Sequence, residues 1–114
     1  GFASSAVTSR GRTALQPGMV TSNEPGFYRT DHYGIRIENL ILCVEDRSTD
    51  YGDFLRFETL TLFPIDRRLL QLDMLSEEER QWLNDYHQQV MAGTLPLLKE
   101  DEERLWLRQH CQPV

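Results

Sequence analysis

The sequence predicts an α+β chain, with antiparallel strands in its first half and helices in its second. Three observations carry that expectation. Residues 19–24 and 34–42 are strand-like and flank a polar, turn-prone segment at residues 29–34. Residues 54–62 end in an alternation of Thr59 and Thr61 with Leu60 and Leu62. Beyond Pro64 the apolar period changes, and Trp82, Leu83, Tyr86 and Val90 recur at helical spacing.

The first two strands read as a hairpin centred on Asp31, because Glu24 and Glu38 lie symmetrically about it. Folding back at Asp31 makes the two glutamates cross-strand neighbours, with Cβ atoms about 5 Å apart. Pro25 cannot donate to a ladder, and Gly26 offers a bend. Ile35, Ile37, Ile41 and Cys43 form an apolar row broken by Asn39, expected to face a core. Arg36 shares the face of Glu38, with Leu40 and Leu42, and that face is expected to be half covered. Residues 46–53 read as a polar surface connection, and residues 54–62 as a third strand ended by Pro64. Ser76 with Glu79 makes a capping box that starts a helix, and Gly93 with Pro96 marks its end. A second helix is expected over residues 100–110, with its acidic start near the positive end of the dipole and with Leu105 and Trp106 on display.

Two carboxylates facing each other repel unless something compensates. A divalent cation would do so, since carboxylate oxygens suit hard metals such as Mn²⁺ and Mg²⁺ and one carboxylate can bridge two ions. The alternative is a solvated acidic face. Arg36 argues for a built site, because its guanidinium can hold and orient the Glu38 carboxylate. His32, His87 and His110 are scattered and read as structural, without the convergent partners a metal needs. Trp82 and Trp106 read as helix anchors or as part of a subunit interface.

Composition bounds the function. The chain has 114 residues, 39% hydrophobic and 26% charged, with a net charge of −6, which suits an ordinary globular piece. The acidity argues against nucleic acid as a partner, and the short apolar runs argue against a membrane span or a secretory leader. Cys43 and Cys111 have no metal-type spacing and read as reduced thiols of a cytoplasmic protein.

The segment Gly18-Met19-Val20-Thr21-Ser22-Asn23-Glu24-Pro25-Gly26-Phe27-Tyr28, followed by Tyr33-Gly34-Ile35-Arg36-Ile37-Glu38-Asn39, resembles the carboxy-terminal half of the catalytic domain of aminopeptidase P. This Xaa-Pro aminopeptidase belongs to the pita-bread metallopeptidases. The segment Phe57-Glu58-Thr59-Leu60-Thr61-Leu62-Phe63-Pro64-Ile65 and the segment Trp82-Leu83-Asn84-Asp85-Tyr86-His87 are similar to the carboxy-terminal extension of its eukaryotic cytosolic type. The resemblance covers roughly residues 13–112. It implies a partial pita-bread domain over residues 1–65 and a helical extension over residues 66–114. It also implies that Glu24 and Glu38 are two of the five protein ligands of a dinuclear centre, most often Mn²⁺. Glu24 would handle the catalytic proton, Glu38 would bridge both metals, and Arg36 would support the ligand shell. The substrate would be a peptide with proline in second position, and the extension would contribute to a homodimer.

Residues 1–18 contain no histidine, aspartate or glutamate, and the chain begins at glycine. The remaining ligands are therefore expected upstream, in a longer parent of which this chain is an inactive piece. Two other readings stay open: a fragment of a prolidase, and a non-catalytic interaction module.

Overall fold

The computed structural model describes residues 13–114, and these divide after Thr61 into a sheet unit and a helical unit. The sheet unit has five strands: β1 (Val20–Asn23), β2 (Gly26–Arg29), β3 (Tyr33–Arg36), β4 (Asn39–Thr49) and β5 (Gly52–Thr59). β2 pairs antiparallel with β3, while β1, β4 and β5 form a second antiparallel sheet with β4 in the middle. The expected single hairpin is thus split into two short sheets. Pro25 is the reason, since it has no N–H for a ladder bond. The pairing register nevertheless runs through the break unchanged: Asn23 faces Asn39 on one side and Gly26 faces Arg36 on the other. Both pairs are equidistant from Asp31, which occupies the hairpin tip in the left-handed region at φ 59°. Aspartate tolerates that conformation better than most side chains.

The polar segment expected as a surface connection is mostly paired strand. β4 continues to Thr49 and meets β5 from Gly52, leaving only Asp50 and Tyr51 in the turn. The polar residues there sit on a projecting two-stranded ribbon, where both faces are open and composition does not separate strand from loop. A bulge at Asp46 shifts the register between Glu45 and Arg47. Beside it, Arg47 lies over the Phe54 ring, and Arg56 pairs with Asp46 at 3.7 Å. β5 stops at Thr59, earlier than expected, although Leu60 N–H still donates to the Leu40 carbonyl at 2.8 Å.

The isoleucine row is not core-facing along its length. Cys43 is buried at 2% exposure, but Ile35 and Ile37 are 49% and 41% exposed. Among the described residues no second layer covers this face of the sheet unit, so alternation supplies a face without anything to bury it.

The helical unit contains α1 (Glu77–Thr94) and α2 (Asp101–His110). Ser76 caps α1 as expected. Its hydroxyl accepts from Glu79 N–H at 3.1 Å, and the Glu79 carboxylate accepts from Ser76 N–H at 2.9 Å. The helix runs through Gly93 to Thr94 and passes into a single 3₁₀ turn at Leu95–Leu97, so Pro96, not Gly93, marks the change. α2 begins one residue later than expected, with Glu100 at the cap position.

The buried residues of α1 are Leu83, Tyr86, His87 and Val90, a stripe at i, i+3, i+4 and i+7. His87 thus takes the place expected for Trp82, which is 54% exposed and stacks on Tyr86. Leu107 and Cys111 of the second helix and its cap close the core against Tyr86 and Val90. Both cysteines are free thiols. Arg67 donates to the carbonyls of Gln109 and Gln112 at 3.2 and 3.1 Å, satisfying acceptors at the negative end of α2.

Equilibrium unfolding in urea tests the cap. Ser76→Ala should lower the stability of the helical unit by about 1 kcal/mol, whereas Ser76→Asp, which keeps an accepting oxygen, should stay close to the parent.

Candidate metal centre

Glu24 and Glu38 lie in the gap between the two sheets, and the uninterrupted register places them opposite each other. Ile37 N–H donates to the Pro25 carbonyl at 3.2 Å, so Pro25 and Ile37 form a hydrogen-bonded pair from which proline's own bond is missing. Ladder alternation then makes Glu24 and Glu38 a non-hydrogen-bonded pair, the kind that brings Cα atoms to about 4.5 Å and side chains closest together. Continued through the break, the register sets the two like charges opposite each other. Arg36 answers one of them: its Nε lies 3.2 Å from Glu38 Oε2. Among the described residues no ion pair reaches Glu24. Both side chains of the Arg36 and Glu38 pair remain partly open, at 51% and 39% exposure.

The hairpin face bearing Arg36 carries a feature that sequence reading missed. Tyr28 faces Gly34 directly across the ladder, and Gly26 lies on the same face two residues away. The Tyr28 ring lies over both glycines. A Cβ on Gly34 would sit 2.6 Å from Tyr28 Cδ1, and one on Gly26 would sit 2.7 Å from the Tyr28 hydroxyl and 2.9 Å from the Ile35 carbonyl oxygen. The hydroxyl therefore reaches along the face away from the turn and toward the carboxylate pair. A glycine opposite an aromatic in the deduced register was the available signal.

The histidines behave as structural residues. His32 Nδ1 bonds the Thr30 carbonyl in the hairpin turn at 2.8 Å, and His110 stacks on Trp106 at 4.2 Å. His87 is fully buried in the helical unit. No group of three or more His, Cys, Asp or Glu side chains converges among the described residues. The donor set is thus two carboxylates. Their opposition and hard oxygen chemistry fit divalent ions, with the remaining coordination to come from other groups.

The description "C-terminal region of peptidase_M24" matches residues 53–114, and "Metallopeptidase family M24" matches residues 3–45. The chain belongs to the M24 metallopeptidase family, as part of its C-terminal region. It is similar to a "Probable Xaa-Pro aminopeptidase P" of Coprinopsis cinerea, 43% identical over 106 residues, covering 90% of this chain and 17% of that protein. A protein of the same name from Arthroderma otae is 46% identical over 99 residues, covering 83% and 16% respectively. In structure the chain resembles an X-prolyl aminopeptidase from Caenorhabditis elegans, described as a cytosolic enzyme with a di-nuclear active site. The TM-score is 0.73 at 38% identity, covering 88% of this chain and 17% of that one. The M24 chain thus spans about one sixth of the length of these relatives. The match agrees with the expected partial pita-bread fold, antiparallel strands followed by helices.

The glycine pair separates two kinds of close approach. Gly26→Ala should destabilise the chain more than Gly34→Ala, because its Cβ meets backbone as well as ring. In a Tyr28→Ala background the cost of Gly34→Ala should largely vanish while most of that of Gly26→Ala persists, as read from double-mutant cycles in urea.

Proposed function

We propose that this chain is the carboxy-terminal part of a dinuclear metal-dependent Xaa-Pro aminopeptidase. On this reading the parent enzyme removes the amino-terminal residue that precedes proline in a peptide. Residues 1–65 complete its catalytic domain, and residues 66–114 form a helical extension. The observation that carries the reading is the register-opposed pair of Glu24 and Glu38 with Arg36 on its flank. Names and folds of the similar proteins support it.

Glu24 and Glu38 hold the metal ions in this proposal, and Mn²⁺ is the preferred pair. Such ions supply Lewis acidity toward a peptide carbonyl and lower the pKa of water. Glu38 would hold both ions, with its carboxylate oriented by Arg36. The Arg36 Nε contact also leaves Glu38 less free to swing toward solvent, which helps to keep it beside Glu24 despite their repulsion. Glu24 lacks such a partner among the described residues and is the carboxylate available to accept a proton during hydrolysis.

The proposal is tested in the complete protein by measuring metal content beside the rate of Xaa-Pro hydrolysis. Glu24→Gln and Glu38→Gln should each lower the rate by at least about a hundredfold and reduce bound Mn²⁺, because the amide keeps shape but loses anionic ligation. Arg36→Lys should impair less, since charge remains while the fork is lost. Normal metal content and normal rates in both glutamine variants would return the pair to a solvated acidic face.

We further propose that the parent acts in the cytoplasm as a homodimer built partly on the extension. No helix among the described residues is long and apolar enough to cross a membrane. Trp82, Leu105 and Trp106 are 54%, 57% and 42% exposed, which leaves large apolar area on the helices without cover among the described residues. Replacing these three by serine should shift the complete protein toward monomer in sedimentation velocity while leaving its metal content unchanged. An unaltered dimer would remove the extension's outer face from the interface.

A further inference from the structure

Adjacent side chains of α1 grip the segment that leads into the helical unit. Tyr86 donates its hydroxyl to the Phe63 carbonyl at 2.8 Å, and Ile65 N–H donates to His87 Nε2 at 3.1 Å. A backbone N–H can only donate, so Nε2 must present its lone pair and the ring proton must reside on Nδ1. His87 is 0% exposed, and its Nδ1 is buried without a hydrogen-bond partner. The site therefore takes the neutral ring in one tautomer. A second proton on Nε2 would set donor against donor and place a cation in a closed core.

The surroundings reinforce that preference. Burial and the Arg67 guanidinium both hold the His87 pKa below its ordinary value. Arg67 comes from the 3₁₀ turn Arg67–Leu69 and is anchored on carbonyls at the end of α2. Its neighbour Asp66 is engaged by Arg68 at 2.7 Å. Leu107 of α2 and the Cys111 thiol of its cap pack with Tyr86 and Val90, and burial pushes the Cys111 pKa up. On α1 itself the near ring is Tyr86, tilted at 5.8 Å. Among the described residues no carboxylate acts on His87 to favour the imidazolium form.

We propose that His87 is an acid-operated latch, whose protonation below about pH 6.5 releases the Ile65 N–H from α1 while Tyr86 keeps its hold on Phe63. The sign follows from linkage. The closed latch refuses the proton and the open one accepts it near the ordinary histidine pKa, so the latch is fully closed above that value and opens as pH falls below it. Between pH 7.5 and 5.0 the ratio of open to closed should rise by roughly 30-fold.

Hydrogen–deuterium exchange on the intact protein, with labelling times scaled for the intrinsic pH dependence of exchange, reads this ratio in the peptide containing Ile65. Its protection should fall by roughly 30-fold between pH 7.5 and 5.0 in the wild type. In His87→Gln, whose carbonyl accepts the same N–H without titrating, protection should stay level. A level wild-type profile, or an equal fall in His87→Gln, would overturn the latch. If that variant does not fold, the wild-type series decides alone: a fall that begins near pH 6.5 supports histidine, whereas one confined to the range below about pH 4.5, where carboxylates titrate, rejects it.

Discussion

Because Pro25 has no N–H, the pair it forms with Ile37 is held by one hydrogen bond where a ladder would have two. The strands part there without losing register. That combination fixes the rest of the sheet unit. A bulge at this point would have shifted one glutamate to the other face of the ribbon. The missing bond interrupts the ladder beside the glutamates, while the unchanged register keeps the carboxylates opposed.

How much of this could be read from the residues depended on whether the deciding partner was local. Ser76 and Glu79 are three positions apart, and their reciprocal bonds form as the spacing says. The opposition of Glu24 and Glu38 was legible because Asp31 lies midway between them and the turn composition surrounds it. Ile35 and Ile37 are exposed where a core was expected because alternation reports a face, while burial requires a layer that the described residues of this unit do not supply. The strand pairing of Glu45 to Thr49 was missed because polar residues on an open ribbon carry no periodic signal.

His87 is the instructive case in the helical unit. Counting apolar residues along α1 chooses Trp82, because tryptophan is larger and less polar than histidine. The helix instead turns His87 inward, since Leu83, Tyr86, His87 and Val90 share one stripe and Ile65 offers the imidazole a donor. Trp82 is left as a lid over Tyr86. A distant backbone N–H decided the matter, and no reading of the helix alone contains it.

The shared register also says how this hairpin tolerates changes of length. A residue inserted or deleted on one arm between Glu24 and Glu38 turns one carboxylate to the opposite face. Equal insertions on both arms, placed symmetrically about Asp31, keep Glu24 facing Glu38 and merely carry the tip further away. Homologous hairpins should therefore vary in length by matched additions, with the distance from each glutamate to the turn changing in step.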